Sequence, residues 1–126
     1  GVELVIENIA DKDPADRVRL AESFGSAAVK VSLDTGHAHY AHVSTGAPPV
    51  DRFALAAGSR LAHVHLQDAD GHADRHWSLG EGTIRWPALF RELAGLEGRP
   101  RLVLELRDPA RVPDSHAHLA GLGLAR

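Results

Sequence analysis

The stretch LAHVHLQDADGHADRHWSLGEG (residues 61–82) changes character in its middle. Its first seven residues read as a strand, short and largely apolar. The fifteen that follow hold three Asp and two His, a composition that a solvent loop tolerates and a metal site requires. Behind them, WPALFRELAGL sets Trp86, Leu89, Phe90 and Leu93 at helical spacing, with Pro87 placed for a first helical turn. Strand, polar loop and helix in that order make one unit of a parallel β/α fold.

Working outward, the unit recurs. VELVIE (2–7) reads as a strand, and DPADRVRLAESFG as a helix entered near Pro14 and stopped at Gly25. AAVKVSLD (27–34) reads as the second strand, followed by a long polar loop through GAPP and a short helix in VDRFALAAG. RLVLEL (101–106) is the fourth strand, and SHAHLAGLG forms a last short helix. Four parallel β/α units make either a small doubly wound sheet or half of an eightfold barrel, and the pattern alone fits both. No glycine-rich dinucleotide loop follows the first strand, which weakens a nucleotide-binding version.

The 126 residues suit a single domain, 1–126, without linkers or low-complexity segments. A formal charge of −3 and only two Lys, Lys12 and Lys30, argue against a nucleic-acid partner. The absence of Cys removes disulfides and thiolate ligands. No stretch approaches the roughly 20 apolar residues of a membrane span and no signal-peptide pattern appears, so a cytoplasmic protein without membrane contact is expected. The chain opens GVELVIEN, already inside a strand and without Met, as expected of a piece cut from a longer chain.

In parallel β/α folds chemistry gathers at the carboxyl ends of the strands. Here each strand brings ionisable residues to that edge: Glu7 on the first, Asp34 with His37 on the second, His65 with Asp74 and His76 on the third, Glu105 with Arg107 on the fourth. A lone strand-end carboxylate is ordinarily structural. Four strands out of four are harder to dismiss, because crowded carboxylates repel one another unless a cation compensates. Glu7, Asp34, His65 and Glu105 form an oxygen-rich ligand set that favours Mn²⁺ or Mg²⁺ ahead of Zn²⁺ or Co²⁺. His37, Asp74, His76 and Arg107 are then candidates for a second ion or for orienting substrate. His63, deeper on the third strand, reads as a core-layer residue and Glu3 as structural. His116 and His118 read as solvated, and His39 and His42 as part of a flexible polar loop. Gly80 and Gly82 form either an anion-approaching turn or a simple one.

VIEN, LDTGHAH, HVHLQDADGHADRHWSLGEGTIRW and LVLEL together resemble the second half of the xylose isomerase-like barrels, the superfamily of sugar phosphate isomerases/epimerases and of endonuclease IV. The most specific part is His-x-His-Leu-x-Asp (63–68) followed by Asp-x-His (74–76) and Leu-Gly-Glu-Gly (79–82). The resemblance implies strands five to eight of a TIM barrel, a divalent metal on Glu7, Asp34, His65 and Glu105, and His37 beside it on the second-strand loop. It also implies that Asp74 and His76 match a pair that endonuclease IV uses in its zinc cluster. Arg85 departs from the acidic helix cap often found there. The implied activity is a metal-dependent sugar (phosphate) isomerase or epimerase working by proton transfer through an enediolate, with Glu7 and Glu105 as base and acid. The alternatives are a zinc phosphodiesterase acting on abasic DNA and an inactive fragment of such a barrel. The expected partners are a small sugar or sugar phosphate and either a second copy or a missing first half to close the barrel.

Overall fold

The strands alternate, apart from one irregularity at the start of the third, and the two alternating sets go to different places. The computed structural model describes residues 1–126 and pairs β1 (Leu4–Glu7), β2 (Val29–Asp34), β3 (Leu61–Leu66) and β4 (Arg101–Leu104) into one parallel sheet in chain order. Val29, Val31, Leu33, Val64 and Leu66 lie on one face and join the core. The helices α1 (Asp16–Ser23), α2 (Thr35–Thr45), α3 (Val50–Ala57) and α4 (Trp86–Gly95) contribute Ala21, Ala38, Ala41, Phe53, Ala54, Trp86 and Leu89 to that same core. The last helix, α5 (Val112–Gly121), adds Leu119.

By the same alternation the other face carries Val5 and Glu7, Ser32 and Asp34, His63 and His65, and then Val103 and Glu105. A doubly wound sheet is covered by helices on both faces. This sheet has an apolar face under helices and a polar face that carries the candidate ligands, which is the arrangement of part of a TIM barrel. Register aligns the polar ends: Glu7 pairs with Ser32, and Asp34 with His65. A register shift between Val31 and Ser32 brings His63 and His65 into step with Ser32 and Asp34.

The structure corrects the sequence reading at several places. Residues 35–45 are not a long polar loop: α2 starts directly after β2. The Asp34 side chain caps it by accepting from the His37 N–H at 2.8 Å, and Gly46, at φ 77°, ends it. His37 therefore stands on the first turn of α2. His39 is a buried helical residue with Nε2 2.7 Å from the Thr83 hydroxyl, and His42 Nδ1 meets the Ala47 carbonyl at 2.6 Å. Neither belongs to a flexible loop. The first strand begins at Leu4 and the fourth ends at Leu104, although Glu105 N–H still donates to the Leu66 carbonyl at 3.0 Å. The last helix starts at Val112, three residues before the Ser115 expected.

Candidate metal centre

Three carboxylates and an imidazole gather at the carboxyl end of the sheet, where the parallel strands run out and alternate side chains share one face. His65 Nδ1 lies 2.6 Å from Glu7 Oε1, 3.3 Å from Glu105 Oε2 and 4.0 Å from Asp34 Oδ2. Asp34, His65 and Glu105 offer ligand atoms within 4.8 Å of one another, as do Glu7, Asp34 and His37, and Asp34 is common to both groups. No Lys or Arg side chain pairs with Glu7, Asp34 or Glu105. Oxygen-rich donors converging without a fixed counter-charge fit a hard divalent cation.

Asp34 is fully buried, and burial pushes its carboxyl above the usual range against the opposing pull of the His37 N–H. Its backbone is clasped by Asn8 and its carboxylate by the helix that follows. The Asp34 N–H donates to Asn8 Oδ1 at 2.7 Å while Asn8 Nδ2 donates to the Asp34 carbonyl at 3.2 Å. The α2 N-terminus lies against the carboxylate and favours its charge. Glu7 and Glu105, with 33% and 44% of their side chains accessible, face outward.

Beside this group lies a second one. His76 Nε2 is 3.1 Å from Asp74 Oδ1, and His37 Nε2 is 3.5 Å from Asp74 Oδ2. Burial alone would lower the affinity of His37 for a proton, yet Asp34, the Asn8 carbonyl, Asp74 and Glu7 outweigh it and raise the pKa. His76 behaves likewise, raised by the Glu105 carbonyl and Asp74 over the effect of burial. Asp74 is lowered because Gln67, His76 and His37 overcome its partial desolvation. The structure thus gathers Glu7, Asp34 and His37 into one group and Asp34, His65 and Glu105 into another, joined through Asp34 and the His65–Glu7 contact, and sets Asp74 and His76 beside them. Arg107 is placed differently: its backbone N–H holds the His76 carbonyl at 2.9 Å, while its side chain lines a neighbouring cleft of about 180 Å³ with His76, Trp77 and Arg111.

Not all the acidic residues of the 68–82 loop serve this centre. Asp70 is bound by Arg75 and is held down to about 2. Asp68 is fully buried and accepts from the Gly80, Ile84 and Ala69 N–H groups and from the Trp86 indole. The Gly80 amide is therefore spent on Asp68, and a Cβ on Gly82 would lie 2.3 Å from Asp68 Oδ1, so both glycines close a turn around a buried carboxylate. His63 bonds Ser32 Oγ through Nδ1 at 3.1 Å and stands edge-on to His65. Glu3 faces Lys30 at 3.8 Å. His118 packs against Gly80 and is half-buried, whereas His116 is exposed. Arg85 makes no side-chain cap for α4. Sequence reasoning passed over Gln67 and Asn8. Gln67 stands between Leu66 and Asp68, and the one sign of its interior placement was a polar amide directly after the buried end of β3.

The sequence matches the xylose isomerase-like TIM barrel family over residues 1–122. A D-tagatose 3-epimerase-like protein superposes with a TM-score of 0.81 at 21% identity, covering 96% of this chain and 46% of that one. The TTHB071 protein from Thermus thermophilus, from crystals soaked with zinc chloride, gives 0.72 at 29% identity, covering 100% and 47%. MJ1614, an uncharacterized protein of Methanocaldococcus jannaschii, is 28% identical over 98 residues, 74% of this chain and 35% of its own length. The chain spans about a third of that relative and just under half of the two solved chains.

Proposed function

This chain belongs to the xylose isomerase-like TIM barrel family, and from that premise we propose that it supplies the metal-holding strands of a sugar (phosphate) isomerase or epimerase. The observation that carries the reading is that Glu7, Asp34, His65 and Glu105 lie in two overlapping groups of ligand atoms joined at Asp34, with no Lys or Arg paired to the three carboxylates. Asp34, buried and held on both its backbone and its carboxylate, acts as a fixed ligand. His65 and the two glutamates complete the set. These residues would hold a divalent ion, with Mn²⁺ or Mg²⁺ preferred, which when bound would polarise neighbouring hydroxyl and carbonyl oxygens of a sugar and acidify the C–H between them.

The residues divide the remaining work by exposure. Glu7 ends β1 and Glu105 directly follows β4, the two outermost strands, and both keep accessible carboxylates, so a sugar laid across the sheet end meets one on each side. One takes the proton from carbon and the other returns a proton. The names of solved neighbours agree with this class of substrate, since a D-psicose 3-epimerase and an L-ribulose 3-epimerase also share the fold. No helix is long and apolar enough to cross a membrane.

A phosphodiesterase of the endonuclease IV kind is the second reading. It is favoured by His37, Asp74 and His76 lying together beside the first group, where they would hold a second ion. The formal charge of −3 and the scarcity of Lys weigh against a DNA substrate.

The deciding experiment measures the metal content of the full-length protein, then compares solvent deuterium uptake by ketoses with cleavage of abasic DNA. One exchangeable Mn²⁺ or Mg²⁺ with deuterium uptake supports the isomerase or epimerase. Two or three zinc ions with DNA cleavage replace it with the second reading. Glu105→Gln is expected to lower deuterium uptake at least about 10²-fold with the fold retained, and full retained exchange would remove Glu105 from the proton path.

A further inference from the structure

Gln67 follows β3 and has its side chain fully buried. All of its hydrogen-bonding capacity is directed at the site. Nε2 donates to Asp34 Oδ1 at 3.1 Å and to Asp74 Oδ1 at 2.9 Å, while Oε1 accepts the His76 backbone N–H at 2.7 Å. A primary amide has two N–H donors and one carbonyl, and this orientation matches each to a partner. The flipped amide would set its oxygen against two carboxylates.

Two further observations point to the same role. A Cβ on Gly36 would lie 2.3 Å from Gln67 Cδ, so the first turn of α2 provides a slot that only glycine leaves open. His76 has φ 53°, a left-handed backbone uncommon outside glycine. It is held from three directions: its N–H by Gln67, its ring by the Glu105 carbonyl at 3.1 Å and its own carbonyl by the Arg107 N–H at 2.9 Å. Gln67 is thus the one side chain bonded at once to the strand-borne carboxylate and to both members of the Asp74–His76 pair.

We infer that Gln67, seated in the slot left by Gly36, is a positioning residue that locks the Asp74–His76 loop onto Asp34, so that ion affinity at Asp34 depends on loop placement. The loop half of this inference rests on geometry alone, and the affinity half rests on the metal reading proposed above. Partners that orient ligands from behind are worth 10–100-fold in metal affinity.

The test uses the full-length protein and two variants. Gln67→Met keeps length and burial but removes both donors and the acceptor. Gly36→Ala keeps every polar group and fills the slot. Amide hydrogen exchange reads loop placement, and calorimetric titration with Mn²⁺ reads affinity. Both variants are expected to lose about tenfold protection at the His76 amide, with the Val64 and Leu66 amides unchanged as the control for folding. The Mn²⁺ dissociation constant should rise about 10–100-fold. Full protection at His76 in the variants overturns the positioning role. Lost protection with unaltered Mn²⁺ affinity overturns the coupling. Should Gln67→Met fail to fold, Gly36→Ala makes the same comparison. A wild-type protein that takes up no Mn²⁺ sinks the metal reading itself and the affinity half with it, while the His76 exchange still decides the loop half.

Discussion

At the scale of single residues, the 68–82 loop separates two uses of the same side chain. Asp74 faces the candidate site, whereas Asp68 is buried under four N–H groups. The sequence shows two aspartates in one loop and nothing that sorts them. Asp68→Asn keeps the shape but turns an amide N–H₂ toward groups that only donate. It is expected to cost roughly 1–3 kcal/mol in chemical denaturation, with unaltered stability showing that the loop does not depend on it. His39 gives a prediction about pH. Burial lowers its folded pKa below 6.5, so the unfolded chain takes up the proton first. Its contribution to stability is present above pH 6.5 and is lost as pH falls through the folded value. His39→Gln should therefore flatten the acid side of the stability profile below pH 6.5, and a profile identical to wild type would deny His39 that part.

At the scale of elements, β2, β3 and α4 were legible because their apolar residues follow a single period. Leu89 is the clearest case: it was placed on the buried stripe of α4 and has 0% exposure. Leu89→Ala is expected to destabilise the protein by about 2–5 kcal/mol in a denaturant melt. The helix α2 was not legible. Capping chemistry was in plain sight as Asp34 three residues before His37, but the six other residues of TGHAHYAH (35–42) hid an apolar stripe made only of Ala38 and Ala41. Alanine buries little surface, so such a stripe gives a weak periodic signal, and the helix is decided by its packing on β3 and α3 rather than by its own pattern. The practical consequence is that His37 is held by a helix turn and not by a loop.

At the scale of the whole molecule, the sheet is open at both sides. Leu4 on β1 and Leu102 on β4 remain 59% and 42% exposed. An open cleft of about 540 Å³, lined by Phe90, Leu93, Leu96, Leu102 and Leu124 among others, runs beside the β4 edge. Exposed strand edges and apolar surface of this kind are what a closed barrel covers. The concentration of negative charge at the carboxyl end of the sheet has its own consequence. Because an ion bound by folded protein alone stabilises it by mass action, Mn²⁺ at about 100 times its dissociation constant should add about 2.7 kcal/mol. A Tm that rises with Mn²⁺ and falls back with a chelator would show this, and a Tm indifferent to every divalent ion would remove the metal from the proposed site.

The sequence by itself determined the order of the four strands and of every helix but α2, and which ionisable residues stand at strand ends, since all of these follow from period and local spacing. Tertiary structure alone decided that Asp34 is both a helix cap and a buried carboxylate, that Asp68 serves the loop and not the site, and that Gln67 joins Asp34 to Asp74 and His76. These depend on which side chains meet in space, such as Gln67 with Asp34, 33 residues away, and Asp68 with the Trp86 indole, 18 residues away. Such meetings are set by register and by the room a glycine leaves, and neither is written in the periodicity of any one segment.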